Sequence, residues 1–350
     1  MSELFQSPQQ FRLGFEQGLA AMLRDFDELG TFILVLANAG YDARLWKRLE
    51  MPLRIKFDRL CEEIQANEAC GHVLDDADDD LQVFRQLMAM GISRLQHTEF
   101  KFLRRWELQF NPLRALRPPR MTGAPVQGIS APFNPDGFNF NRPYLRKEIL
   151  WAGSLAGRHT ALFYNKFPFV DLHGLLVPEP RREQPQLLNE EDHNYVWELT
   201  QELASTLPDV GFGYNSYGAF ASVNHLHFQM FQRDHALPIA NPQWRHNGGA
   251  LAYPATCFRF SAAGPAWRFI AELHRREISY NLIYLPNRLY CLPRLKQDAY
   301  QQPAWTGGFA WYEMAGGYTT YSAEDFEAVD STDIEAALKQ LSFDPVCGLG

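Results

Sequence analysis

The stretch "GFGYNSYGAFASVNHLHFQMF", residues 211–231, sets two histidines and a glutamine at every second position. Side chains alternate along an extended chain, so His225, His227 and Gln229 share one face of a predicted strand. Leu226, Phe228 and Met230 share the other, which suits a core. Three chemistries fit the polar face. Neutral imidazoles bind metals, but the neighbourhood offers no glutamate or cysteine at ligand spacing, and only folding could bring His193, His235 or His246 near. A second reading is structural, with each histidine hydrogen-bonded and inert. The third is covalent catalysis at phosphorus.

In that third reading a neutral imidazole nitrogen attacks a phosphoryl centre and forms a phosphoramidate, dividing one hard displacement into two easier ones. The other ring nitrogen must donate a hydrogen bond, to a backbone carbonyl or a second histidine, so that the attacking nitrogen stays unprotonated. The nonbridging oxygens need donors already in place. Asn215, Ser216, Ser222, Asn224 and Gln229 have the right chemistry, and Gly218, Ala219 and Ala221 let backbone approach a phosphate closely. This reading accounts for the loop as well as the strand, which the other two do not.

"GYNSYGAFASVNHLHFQ" resembles the active-site segment of GDP-hexose phosphorylases, the group that includes plant GDP-L-galactose phosphorylase. That group belongs to the histidine-triad superfamily, with galactose-1-phosphate uridylyltransferase and diadenosine tetraphosphate phosphorylase. The superfamily pattern His-x-His-x-Gln is met by His225, His227 and Gln229. The resemblance implies that His227 carries the nucleotidyl group, that Gln229 contacts the phosphate, and that Ser222 stands where the uridylyltransferases have a phosphate-binding serine. "NKFPFVDLHGLLVP" resembles the family strand carrying Gly-His-x-Leu-x-x-Pro: His173 and Pro178 match, while Leu172 replaces the glycine. "FNPDGFNFNR", "YNLIYLPNRLYCLPR" and "WYEMAGG" resemble further landmarks, so the likeness spans roughly residues 105–330.

The implied fold is α+β and histidine-triad-like, a mainly antiparallel sheet with helices on one face. The implied activity is nucleotidyl transfer without a cofactor or a resident metal. A nucleotide sugar of the GDP-hexose type is cleaved with inorganic phosphate to a nucleoside diphosphate and a hexose 1-phosphate. Alternatives are a diadenosine polyphosphate phosphorylase or ATP adenylyltransferase, and a nucleotide sensor that does not turn over. Asn165 and Lys166 are candidates for the nucleotide, against a solvated strand end. Arg294 and Lys296 are candidates for the acceptor phosphate, against a surface basic pair. Glu313 is a candidate for a sugar hydroxyl or the N–H groups of guanine, against a buried structural carboxylate. Arg114 is a further candidate for the nucleotide.

Several elements must position these residues. Ser7, Pro8 and Gln10 predict a helix start, and Phe11, Phe15, Leu19, Met22, Leu23 and Phe26 continue it at helical spacing to 26. Helices are also predicted around 53–66 and 79–93, whereas "TFILVLA" at 31–37 fits a buried strand or a buried helix equally. The acidic run 75–80 reads as a solvated loop leading into a helix N-terminus. The Pro- and Arg-rich run that starts at 111 reads as a linker. Strands are predicted at 160–167 and 173–178, a helix capped by Asn189, a hairpin over 280–293, and helices over "PAWRFIAELHRRE" and near 333–341. The organisation expected is a helical region (1–98), a catalytic α+β domain (99–236) and an α+β half (237–350) completing the pocket.

The composition narrows the function classes. Of 350 residues 46% are hydrophobic, enough for a large core, and the formal net charge is −8. An acidic balance argues against broad binding to nucleic acid or anionic membranes. Five scattered cysteines without a CxxC pair argue against a disulfide framework or a cysteine-held zinc and point to a reducing cytosol. No signal-peptide pattern and no membrane-spanning apolar run are read from the sequence. The expected partners are therefore a nucleotide sugar or dinucleoside polyphosphate and inorganic phosphate, and a homodimer is compatible with the sequence.

Overall fold

The computed structural model describes residues 2–70, 77–95, 97–117 and 126–343. Residues 118–125 of the expected linker, the start of the acidic run and Cys347 lie outside them. The chain opens with helices α1 (Pro8–Asp25), α2 (Leu29–Tyr41), α3 (Ala43–Ala69) and α4 (Asp78–Met90). Ser7 caps α1 by accepting from the Gln10 backbone N–H at 3.1 Å. The ambiguous run at 31–37 is helical, and every residue of α2 is buried. A helix apolar on all sides is stable only when surrounded, and α1, α3, α4 and the main sheet surround this one. The helix α3 begins earlier than its periodicity predicts and runs through Pro52, because Asp42 caps its start by accepting from the Arg44 and Leu45 N–H groups.

Two strands, β1 (Glu99–Leu103) and β2 (Trp106–Phe110), form a hairpin followed by the short helix α5 (Pro112–Ala115). Then come β3 (Ile149–Leu155), β4 (Arg158–Tyr164), β5 (Gly174–Pro178), α6 (Glu190–Ala204), β6 (Val210–Asn215) and β7 (Phe228–Gln232). The remainder is β8 (Phe258–Phe260), α7 (Ala263–Arg275), the hairpin β9 (Ser279–Leu285) and β10 (Arg288–Arg294), and α8 (Trp311–Met314). The last elements are β11 (Gly317–Thr320), α9 (Ala323–Ala328) and α10 (Ser331–Leu341).

The main sheet has the order β3-β4-β5-β7-β6-β9-β10-β8, with every pairing antiparallel. The protein is thus α+β around a large antiparallel sheet. Strands from beyond residue 237 continue the sheet that β3–β7 begin. One face carries Leu162, Tyr164, Leu176, Phe212, Phe228, Met230, Leu282 and Tyr284 into a core shared with α1–α4, α6 and α7. The helices α1–α4, α6 and α7 therefore pack on this one face as expected, whereas α8, α9 and α10 belong to the core on the other. The opposite face is covered by a second core around Trp106, Phe231, Ile283, Leu292 and Trp311, and by a small group around Phe140 and Phe163. A three-stranded sheet, β1-β2-β11, carries part of that second core, with β11 parallel to β2.

Candidate active site

The alternation expected at 225–229 is present in the side each residue packs on but not in its pairing. Leu226, Phe228 and Met230 all enter the helix-side core, and Gln229 lies on β7, fourth of the eight strands. The strand, however, starts at Phe228, so His225 and His227 precede it rather than sit within it. The cause is Gln186. Its Nε2 donates to the carbonyls of Asn215 and His227, each at 3.1 Å, and its Oε1 accepts from the His227 backbone N–H at 2.9 Å. The ladder between β6 and β7 ends at Gly213 and Gln229, and beyond it the Gln186 carboxamide takes the place of a strand partner.

This wedge sets the histidine geometry. His227 donates from Nδ1 to the His225 carbonyl oxygen at 2.8 Å, which leaves Nε2 unprotonated and without a hydrogen-bond partner among the described residues. His225 is held in the opposite tautomer: its Nδ1 accepts from the Phe140 N–H at 3.1 Å, and the ring also bonds to the Pro180 carbonyl. Phe140 packs against both rings, at 5.5 Å from His225 and 5.2 Å from His227. Burial lowers the pKa of each imidazole to about 4, so both are neutral at physiological pH. Ring-proton titration by NMR should therefore show no change at either histidine between pH 8 and 5; a midpoint near the ordinary 6.5 would contradict this environment. Because these folded values lie below the unfolded one, both histidines cost stability as pH falls from about 6.5 to about 4.

Gln229 belongs to a hydrogen-bonded chain that crosses several segments. Its Oε1 accepts from the indole Nε1–H of Trp311 at 3.0 Å and lies 3.0 Å from His173 Nε2, which in turn lies 3.2 Å from Asn165 Nδ2. The Trp311 backbone N–H donates to Asn215 Oδ1 at 2.8 Å, and Asn281 donates to the same oxygen at 2.8 Å. Arg294 reaches the Asn281 oxygen at 3.4 Å. Gly213 makes this possible, since a Cβ there would lie 2.2 Å from the Trp311 indole.

The other candidates divide by what already holds them. Ser216 Oγ accepts from the Tyr280 N–H at 2.8 Å, and Asn224 ties Gln186 N–H to the carbonyls of Ala131 and Pro132. Both fix the loop rather than leave a donor free. Ser222 Oγ accepts from Arg117 Nη2 at 3.2 Å, and Arg117 also acts electrostatically on His173. Lys166 is ion-paired with Asp80 at the start of α4, which joins the helical region to the β4–β5 turn. Arg294 is 1% exposed and donates to the Leu295 and Phe309 carbonyls and the Tyr300 hydroxyl. It is therefore no surface pair with Lys296, whose segment buttresses the loop at Gly218.

Glu313 is buried at the start of α8. One of its oxygens accepts from the Ala310 N–H at 3.0 Å. Burial raises its pKa to about 7 against the pull of Arg114 and Arg294. Arg114 donates to the Phe167 carbonyl at 2.6 Å and covers the Phe169 ring at 4.3 Å, while its Nε is buried with no hydrogen-bond partner among the described residues. His193, His235 and His246 stay apart: His193 bonds to Tyr284 and Ala263, His235 to Glu107 and Arg233, and His246 to Ile239. Among the described residues no helix is long and apolar enough to cross a membrane.

Sequence reasoning missed Gln186, Arg117, Phe140 and the role of Trp311. Trp311 and Phe140 left a signal, as parts of "WYEMAGG" and "FNPDGFNFNR"; Gln186 and Arg117 left none. Gln186 gives a sharp test. Gln186→Leu would strand three buried backbone groups, each worth about 1–3 kcal/mol. A loss of at least about 2 kcal/mol in unfolding free energy is expected, with phosphorylase turnover, if present, falling as His227 shifts. Wild-type stability in denaturant titration of that variant would show that the wedge carries no weight.

Residues 92–231 match the family model described as GDPGP1-like, N-terminal domain. This segment, which contains both histidines and Gln229, is similar to that class of protein. Among individual relatives, GDP-D-glucose phosphorylase 1 of Homo sapiens is 35% identical over 162 residues, covering 43% of this chain and 40% of that protein. The same-named protein of Danio rerio is 34% identical over 115 residues, covering 33% of each chain. The chain thus matches well under half the length of these curated relatives. The likeness read from the sequence is met over residues 92–231. The crystal structure of yeast Ap4A phosphorylase Apa2 in complex with Ap4A aligns with a TM-score of 0.49 at 18% identity, covering 77% of this chain and 99% of that one.

Proposed function

We propose that the protein is a nucleotide-sugar phosphorylase of the GDP-hexose type that works through a covalent nucleotidyl-histidine. The Nε2 lone pair of His227 attacks the α-phosphorus, the bond from phosphorus to the bridging oxygen breaks, and hexose 1-phosphate leaves. An oxygen of inorganic phosphate then attacks the same phosphorus, the P–N bond breaks, and the nucleoside diphosphate leaves with neutral His227 restored. The carrying observation is the hydrogen bond from His227 Nδ1 to the His225 carbonyl, which makes Nε2 the nucleophilic nitrogen and shares the positive charge that develops on the ring. Its neutrality in a buried setting supports the same role.

Gln229, with Oε1 already engaged, offers its Nε2 hydrogens to the nonbridging oxygens, and Arg117 beside Ser222 supplies positive charge. Glu313 is the proposed reader of the base, since a carboxylate matches the N1–H and amino group of guanine. Support also comes from the similarity of residues 92–231 to proteins named GDP-D-glucose phosphorylase 1.

The test is to incubate the protein with GDP-hexoses, ADP-hexoses, UDP-sugars and diadenosine tetraphosphate, with and without phosphate, and to identify products by mass. GDP-hexose and phosphate should give GDP and hexose 1-phosphate. Equal turnover of GDP- and ADP-hexoses would remove Glu313 as a base reader. Nucleotide binding across the panel without turnover would replace the phosphorylase reading with a sensor.

A further inference from the structure

A glutamine carboxamide can present either its oxygen or its NH2 to a ligand, and the two differ by a half-turn. Which one Gln229 presents decides whether it attracts or repels an anionic oxygen. Two groups meet its Oε1. His173 Nδ1 accepts from the Phe169 N–H at 3.4 Å, which leaves the proton of the neutral ring on Nε2, so this nitrogen donates to Oε1, though a change of tautomer could reverse it. The indole of Trp311 can only donate, and its Nε1–H stands 3.0 Å from Oε1. The flipped carboxamide would set NH2 against N–H with no acceptor between them.

Trp311 cannot move aside to permit the flip. Its backbone N–H is fixed to Asn215, its ring lies over Gly213, and it stacks on Phe231 with centroids 5.1 Å apart and planes 8° apart. It is fully buried and lies beyond the matched segment, in the short helix α8. We propose that Trp311 is a positioning residue that locks the Gln229 carboxamide as a pure donor toward the transferred phosphoryl group. This rests on the phosphorylase reading above and assigns to the C-terminal part of the chain a role in the chemistry on β7.

Two measurements test it. The first needs no turnover: the Trp311 indole N–H resonance, identified by its loss in Trp311→Phe, should shift and exchange faster with solvent in Gln229→Leu. An unchanged resonance would overturn the contact. The second replaces Trp311 with its benzothiophene isostere, which keeps shape and stacking and removes only the N–H. Turnover of GDP-hexose with phosphate should fall about tenfold in kcat, with KM little changed, and the loss should vanish in a Gln229→Ala background. Full kcat in the isostere, or an equal loss in both backgrounds, would overturn the proposal. Absence of phosphorolysis in the unmodified protein would instead sink the functional reading, while the resonance still decides the orientation.

Discussion

His227→Ala is expected to abolish both phosphorolysis and any nucleotidyl-enzyme adduct, while the protein stays folded. Survival of the fold follows from the contacts. Among the described residues the side chain bonds only to the carbonyl two residues earlier and packs against Phe140, and the apolar partners of this segment, Leu226 and Phe228, point the other way into the main core. Loss of chemistry follows because no other imidazole can take its place. His225 has its Nδ1 occupied as an acceptor and its ring bonded to Pro180, so it orients the segment instead of attacking. His225→Ala should therefore slow turnover steeply while some adduct still forms. Incubation with labelled GDP-hexose without phosphate, followed by digestion and mapping, reads both variants. The adduct should be acid-labile and base-stable, as a phosphoramidate is. Label on another residue, or undiminished phosphorolysis in His227→Ala, would refute the mechanism.

Gln229→Ala should lower kcat by about 10²–10³, the scale for removing one preorganised donor to a developing oxyanion. The loss is expected to be large because the donor is already fixed in the resting protein. Trp311 and His173 hold the carboxamide oxygen, so no reorganisation is needed when charge builds on the phosphoryl oxygens. Gln229→Glu should be at least as damaging, since it keeps an acceptor for the indole and sets a carboxylate against the phosphate. Stopped-flow measurement of adduct formation separates this step from product release. A loss below about threefold in Gln229→Ala would show that the phosphoryl group is held elsewhere.

The sequence by itself determined what depends on neighbours a few residues away. Ser7 and Asn189 cap their helices as read, because a cap needs only the N–H three residues on. The β9–β10 hairpin falls within the span read for it and turns at Pro286 and Asn287, with Asn287 at φ 61°. The alternation of Leu226, Phe228 and Met230 into the core was legible because a strand-like segment repeats every second residue. The turn of both histidines to the other side, against Phe140, follows the same alternation, although neither lies on β7. Tertiary structure decided the rest. The start of β7 and the role of Gln186 both hinge on a carboxamide that bonds across 41 and 29 positions of sequence. Lys166 was readable as a cation, but its pairing with Asp80, 86 positions earlier, depends on α4 packing beside the β4–β5 turn. Arg294 read equally as a phosphate ligand or a surface group, and only its enclosure by Phe309 and Tyr300 excludes the surface reading. Trp311 reaches Gln229 across 82 positions. Periodicity records which face of an element is apolar; it holds no record of which distant donor a buried polar group will meet once the layers close.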